Sequence, residues 1–300
     1  MFDYKKIIKN RKTRLAILRA LCFVPDKIML FFQYYLQLGR FPNFNNPKRY
    51  SEKIQVYKMR YRNKLMIECV DKYDVRDYVK KKGLGSILNE TYGVFDNPKE
   101  IVFDNLPNSF VIKDTLGGGG NSVIVVRDKN KLDIPAITAQ MCEWVTTNSR
   151  VRDAGREWPY YSGKKHRIII EKYIEPEDSE AGLVDYKFFC FNGVAEYIYI
   201  MSNRRIGEAA ETGIFDRSFN RMKVKRCGSP ILENAIIPAN YHELLETAEK
   251  LSEGFPHVRV DLYNEHQKIL FGEMTFFGAS GYVSFDPDDF DFELGSKFTM

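Results

Sequence analysis

Four consecutive glycines, Gly117, Gly118, Gly119 and Gly120, lie between two short β-rich runs, Phe110-Val111-Ile112-Lys113 and Ser122 to Arg127. Glycine loses more backbone freedom on ordering than any other residue, so such a run does not belong inside a helix or strand and must link the two. The strand that enters it carries Lys113. Glycines let backbone N–H groups come close to an anion, and a lysine adds a point charge. Strand, lysine and loop therefore fit a flexible cover over phosphate, with a plain flexible turn as the alternative. A P-loop is excluded, because no Gly-Lys-Ser/Thr follows and the exit is a strand pattern, not a helix.

Around this segment the hydrophobic period changes. Residues 14–38 read as helical on both sides of Pro25, Phe41 to Pro47 is a turn-rich break, a helix follows Ser51, and another is expected over 64–82 until Gly83 stops it. From Tyr92 onward the apolar runs shorten and alternate. Strands are expected at 167–173 and 186–191, the latter turning through Asn192-Gly193 into 197–201 as a hairpin. A helix is expected at 134–147, and another over 241–253 ends at Gly254. Strands at 257–263 and 268–274 close the pattern. The sum is an α+β chain with mainly antiparallel sheets.

Composition adds limits. The chain has 300 residues, 14% of them aromatic, which asks for large cores. Its formal charge of +5 is concentrated at the start, where Lys5, Lys6, Lys9, Arg11, Lys12, Arg14 and Arg19 cluster. Two readings of that basic, Leu-rich start stay open: a solvated helix face, or contact with anionic lipid at the inner membrane face. The apolar stretch after it is broken by Arg19, Pro25, Asp26 and Lys27, so it does not read as a span or a secretion signal, and a cytoplasmic chain is expected. Five scattered cysteines without a CxxC pair argue against disulfides and structural zinc. No basic module with interleaved aromatics suggests nucleic acid, and no Gly-x-Ser-x-Gly elbow suggests a hydrolase.

Two acids stand inside apolar strand patterns, Asp261 in Val258 to Tyr263 and Glu273 in Leu270 to Thr275. On paired strands their carboxylates would share a face, where a cation must neutralise them. Mg²⁺ with nucleotide phosphates is one such cation and Arg259 is the other. Lys187 inside the aromatic strand Asp185 to Phe191 either reaches the surface or faces a polar site.

These segments resemble the ATP-grasp superfamily, and within it the TupA-like ATP-grasp proteins found with bacterial surface-polysaccharide genes. The resemblance runs from about Phe41 nearly to the end. It rests on Ser51-Glu52-Lys53-Ile54-Gln55, on Asp71 to Val79, on Lys113 to Asn121, on Gly155-Arg156-Glu157-Trp158-Pro159-Tyr160, on Asp185 to Phe191, and on Gly254 to Tyr263 with Gly272-Glu273-Met274-Thr275. It implies an ATP-grasp fold, two α+β subdomains whose antiparallel sheets sandwich a nucleotide, behind a helical N-terminal extension. The expected divisions are a basic extension over 1–47, a helical lobe over 48–108, a subdomain with the glycine loop over 109–175, and a subdomain with the metal-binding acids over 176–300.

The implied cofactors are ATP and Mg²⁺. Lys72 and Lys113 would face the phosphates under the loop Gly117 to Gly120, and the hinge Glu171, Lys172, Tyr173 and Ile174 would read the adenine. Lys187 and Arg259 would be catalytic, and Asp261 and Glu273 would hold the metal. Thr275 stands where many such enzymes have Asn, which leaves the number of metal ions open. Phe277 stands where a basic residue often sits, so Arg156, His166, Arg167 and Arg204 are candidates to anchor substrate. The implied reaction joins a small-molecule or glycan-linked carboxylate to an amine through an acyl phosphate, in capsule, O-antigen or wall polysaccharide synthesis. The alternative is a glycosyltransferase, for which Asp286-Pro287-Asp288 and Asp289-Phe290-Asp291 match a DxD pattern. That acidic run is otherwise expected to be a solvated loop.

Overall fold

The computed structural model describes residues 10–118, 120, 122–148, 152, 155–178, 182–203 and 210–300. Helices α1 (Arg11–Ala20) and α2 (Asp26–Leu38) flank Pro25, and α2 closes on left-handed Gly39. Helix α3 (Tyr50–Arg60) follows. The single helix expected over 64–82 is instead two short ones, α4 (Leu65–Cys69) and α5 (Val75–Lys81). Asp71 divides them. Its buried carboxylate accepts the N–H groups of Tyr73 and Asp74 at 2.9 Å each, giving the backbone a partner other than the helix.

The first sheet contains β1 (Thr91–Phe95), β2 (Phe110–Asp114), β3 (Val123–Val126) and β4 (Ile168–Lys172) in the order β1-β4-β2-β3, each pair antiparallel. Strand β1 comes from the stretch read as a helical lobe and forms an edge of this sheet. Alternation sends Phe110, Ile112, Val126, Ile168 and Ile170 into one core with Phe103 and Met141, the latter from helix α6 (Ile134–Val145). The other face carries Val111, Lys113, Val123 and Glu171, which line a cleft.

The second sheet is larger. Strands β5 (Asp185–Phe191), β6 (Val194–Ser202), β7 (Glu211–Asp216), β9 (His257–Glu265) and β10 (Lys268–Thr275) stand in the order β10-β9-β5-β6-β7, again antiparallel. The β5–β6 turn is Asn192-Gly193, both at positive φ, as a tight hairpin requires. Helix α7 (Tyr241–Ser252) lays Leu244, Ala248 and Leu251 on the face that carries Phe188, Val258 and Val260. Each large apolar side chain buried there contributes roughly 1.5–3 kcal/mol. Strand β7 had no expectation in the sequence. A two-stranded ladder of β8 (Lys225–Arg226) and β11 (Phe285–Asp286) lies beside the sheet.

The acidic run near the C-terminus corrects the expectation of a solvated loop. Asp289–Lys297 is helix α8, Asp288 pairs with Arg40 and Arg49 at 2.6 Å each, and Asp291 is 1% exposed. Asp291 accepts the Ser51 N–H at 2.9 Å and the Ser51 hydroxyl at 2.6 Å, fastening α8 to α3. These aspartates hold helices together.

His257 sits wholly inside the main core. Its Nδ1–H donates to the Cys190 carbonyl at 2.9 Å, and Nε2 accepts the Tyr50 hydroxyl at 3.0 Å. Burial drives its pKa from 6.5 down to about 3. Above neutral pH the ring is uncharged in both states. As pH falls through the ordinary value the unfolded chain takes up the proton and the folded chain does not, so stability falls. This group alone is expected to remove about 1 kcal/mol between roughly pH 7 and 5.5. Urea midpoints across that range check it, and His257→Gln should flatten the slope.

Candidate functional site

The two sheets face one another across a cleft of about 1620 Å³, larger than the roughly 300–1,000 Å³ of a usual small-ligand pocket. Its volume suits two ligands side by side. Antiparallel register builds its floor: Glu273 stands opposite Asp261, Asp261 opposite Lys187, and Lys187 opposite Tyr199. Residues in register on neighbouring strands project from the same face. Four strands thus present two carboxylates, an ammonium and a phenol in one row.

Asp261 is the electrostatic centre of that row. It is 2% exposed. Lys187 Nζ donates to its Oδ2 at 2.5 Å, and Arg259 binds it through Nε at 2.6 Å and Nη2 at 2.7 Å. Burial alone would raise this carboxyl; Arg259 and Lys187 reverse the effect and hold it below the usual carboxylate range. Burial acts against the Arg259 guanidinium too, yet Asp261 and Glu273 keep its pKa above the ordinary value. Arg259 also reaches Glu273 at 3.4 Å and the Thr275 hydroxyl at 3.1 Å. Arg259, one of the two cations the sequence left open for the acid pair, thus contacts both acids.

The opposite wall carries Lys113, whose Nζ donates to Glu171 at 2.7 Å, with Arg76 at 3.6 Å on the same carboxylate. Glu171 is thus engaged by cations. Lys72 projects from the Asp71 turn and donates to the Gly117 carbonyl, while its own N–H donates to Thr115 at 2.9 Å. Burial lowers its pKa. Gly117 accepts no side chain: a Cβ there would lie 2.5 Å from that of Ser122. Gly118, Gly120, Lys172, Tyr173 and Ile174 line the same cleft, and Gly119 lies outside the described residues.

The four anchoring candidates separate. His166 lines the cleft and contacts Asp114 through Nδ1 at 2.8 Å. Arg167 is spent on Asp71 at 3.0 Å and Asp74 at 2.8 Å. Arg156 is 1% exposed and donates to the carbonyls of Leu21 at 2.8 Å, Cys22 at 3.3 Å and Val24 at 3.2 Å. Arg167 thus ties the α4–α5 break and Arg156 the α1–α2 corner, and neither is among the residues that line the cleft. Arg204 lies outside the described residues.

The sequence reading missed the turn Gly278–Gly281, where Ala279 and Ser280 adopt φ of 45° and 57° and Gly281 follows at 73°. Helix α3 supports it: the fully buried Lys58 donates to Ser280 O at 2.8 Å and Oγ at 2.9 Å. The Ser280 hydroxyl donates to Glu157 at 2.5 Å. Only Gly-Ala-Ser-Gly, four small residues in sequence, hinted at a tight turn.

Two antiparallel sheets closing on one cleft, one bearing lysines and a glycine loop and the other a row of acids, are the architecture of the ATP-grasp class. A family model described as TupA-like ATPgrasp matches residues 52–299, and the chain belongs to that family. Among curated proteins no match was found. Solved structures similar in part include D-alanine–D-alanine ligase from Bacillus anthracis (19% identity, TM-score 0.43, 70% of this chain and 57% of that one). The same enzyme from Helicobacter pylori gives 15% identity, TM-score 0.45 and coverage of 83% and 69%. An L-amino acid ligase from Bacillus licheniformis gives 15%, 0.45, and coverage of 86% and 57%. The chain thus spans 57% of the length of the first and third.

Proposed function

We propose that this chain is an ATP- and Mg²⁺-dependent ligase that joins a carboxylate to an amine through an acyl phosphate. The observation that carries the reading is the row Glu273, Asp261, Lys187 facing Lys113, Lys72 and the glycine loop across one cleft. Phosphoryl transfer asks for position and charge neutralisation more than for covalent chemistry by the protein, and that set supplies both. Lys72 and Lys113 hold phosphate oxygens, Gly117 to Gly120 cover them, and the backbone of Lys172 to Ile174 offers an edge to the base. Lys187 and Arg259 stabilise charge on the phosphoryl group as the acid attacks it.

The donors fit a hard cation. Asp261 and Glu273 are in register, Thr275 Oγ1 lies 3.0 Å from Glu273, and a guanidinium already bridges the two acids. Asp261, Glu273 and Thr275 would hold Mg²⁺, which neutralises nucleotide phosphates when bound. The family resemblance further supports a sugar-acid or amino-acid substrate in surface-polysaccharide synthesis.

Thermal midpoints with Mg²⁺ and ATP, ADP, GTP or UDP-sugars test the reading. A ligand at about 100 times its dissociation constant adds roughly 2.7 kcal/mol. ATP with Mg²⁺ is expected to raise the wild-type midpoint and to have no effect on Glu273→Ala. A response to UDP-sugars alone would replace the ligase with a glycosyltransferase.

A second observation favours peripheral contact with an anionic membrane face. No helix among the described residues is long and apolar enough to cross a membrane. Yet Ile28, Phe32 and Tyr35 form an exposed stripe on α2 at helical spacing, flanked by Phe23 at 77% and Phe41 at 63% exposure. Residues 1–20 hold seven cations and Asp3, a net +6 against +5 for the whole chain, so the remainder carries −1. An exposed apolar stripe in a chain whose first twenty residues concentrate positive charge suits an anionic bilayer. Sedimentation with phosphatidylglycerol vesicles, but not with neutral ones, is expected for wild type and lost in Phe32→Glu. Self-association without vesicle binding would refute it.

A further inference from the structure

The row on the cleft floor continues beyond the acids. Tyr199 lies across β5–β6 from Lys187, and at about 4.8 Å per strand its strand lies roughly 10 Å from the one that holds Asp261. Arg226 sits over Tyr199. The Arg226 Nη1–H donates to the Tyr199 hydroxyl at 3.1 Å, and the guanidinium carbon is 5.8 Å from the ring centroid. The arginine is held by the β8–β11 ladder, where it pairs with Phe285 while Lys225 pairs with Asp286. Both Tyr199 and Arg226 line the cleft.

What distinguishes Arg226 is its company. Arg259 and Lys187 share Asp261, and Lys113 holds Glu171. Among the described residues, no carboxylate pairs with Arg226; its side-chain partner is the neutral phenol. A half-buried guanidinium held by one hydrogen bond to a phenol, with most of its fork uncommitted, is prepared for a planar two-oxygen anion. Its place also matters. The acids lie on β10 and β9, whereas Arg226 bonds Tyr199 on β6, away from the acid end that the ligase reading gives to the phosphates.

We propose that Arg226, oriented by Tyr199, is a binding subsite for an anionic group, a carboxylate or phosphate, on the substrate that is not the nucleotide. This rests on the ligase reading, since it takes the acid end of the row to be the phosphate end. The substrate so selected carries its anion on the β6 side of the cleft, and β6 lies two strand spacings, about 10 Å, from the strand that holds Asp261.

The test saturates the full chain with Mg²⁺ and a non-hydrolysable ATP analogue. Thermal midpoints are then followed as inorganic phosphate, malonate, succinate or glutarate is added to wild type, Arg226→Gln and Arg226→Lys. At least one anion is expected to stabilise wild type. Its apparent affinity should fall about tenfold or more in Arg226→Gln, the loss of one charge-assisted pair, and recover in part in Arg226→Lys. Affinity for the analogue should be the same in all three. An equal response in wild type and Arg226→Gln, or none in wild type, overturns the subsite. Weakened analogue binding in Arg226→Gln also overturns it, by giving the residue to the nucleotide. If wild type fails to bind the analogue, the ligase reading fails, and the anion response measured without nucleotide still decides the subsite.

Discussion

Asp261→Asn is expected to destabilise the fold by about 3 kcal/mol or more and to abolish nucleotide-dependent turnover, the largest combined effect of any single change in the cleft. The carboxylate is buried, with Lys187 on one oxygen and the Arg259 fork across both. Asparagine keeps the shape but removes the charge, which leaves, among the described carboxylates, Lys187 with only the longer contact to Asp185 at 3.4 Å and Arg259 with only Glu273 at 3.4 Å. Urea unfolding of the variant checks the stability, and phosphate release checks the turnover. A double variant with Lys187→Met should recover part of the lost stability, because the repelling partner leaves too. Additive losses would mean that the pair does not couple.

Lys58→Met carries the second large effect, about 3 kcal/mol. The ammonium is fully buried, donates twice to Ser280, and stands 3.9 Å from Glu157 and 5.1 Å from the centre of the Tyr282 ring. It holds a turn in which two residues other than glycine adopt left-handed conformations, each costing roughly 1–2 kcal/mol. Gly281 cannot take a side chain there, because a Cβ would press on Ile54 at 2.5 Å. Without Lys58 the Ser280 carbonyl keeps only the Gln55 amide at 3.0 Å among its side-chain donors from helix α3, and the ammonium 3.9 Å from Glu157 is gone. Stability should fall, and KM for the second substrate should rise while affinity for ATP is kept, because Ala279 and Ser280 line the cleft and Ser280 is fastened to Glu157. A fall in ATP affinity of the same size would place the turn on the nucleotide side instead.

Much of the local structure was legible because its causes are local. Pro25 separates two helices, Asn192-Gly193 turns a hairpin, Gly254 follows α7, and alternation placed Lys113 and Asp261 on strands. Local rules failed where a side chain competes with the helix. Nothing in the periodicity of 64–82 reveals that the Asp71 carboxylate will take two backbone N–H groups and break it. They failed again at 286–291, where an acidic run that looks solvated is matched by Arg40 and Arg49, more than two hundred residues earlier.

By itself the sequence determined the residue types the chemistry needs: a lysine strand with a glycine loop, two acids inside apolar strands, and an order of segments that resembles the ATP-grasp family. Only the tertiary structure decided which of those residues meet. The order β10-β9-β5-β6-β7 makes Glu273, Asp261, Lys187 and Tyr199 neighbours although 74 positions separate Glu273 and Tyr199, the ends of the row (273 − 199). It also separated cations that look alike on paper. Arg156 is buried against carbonyls and Arg167 is held by two aspartates, while Arg226, which no pattern singled out, opens on the cleft. The physical reason is that an arginine's role follows from the anions and carbonyls placed around it, and those arrive from distant segments through strand pairing and helix packing.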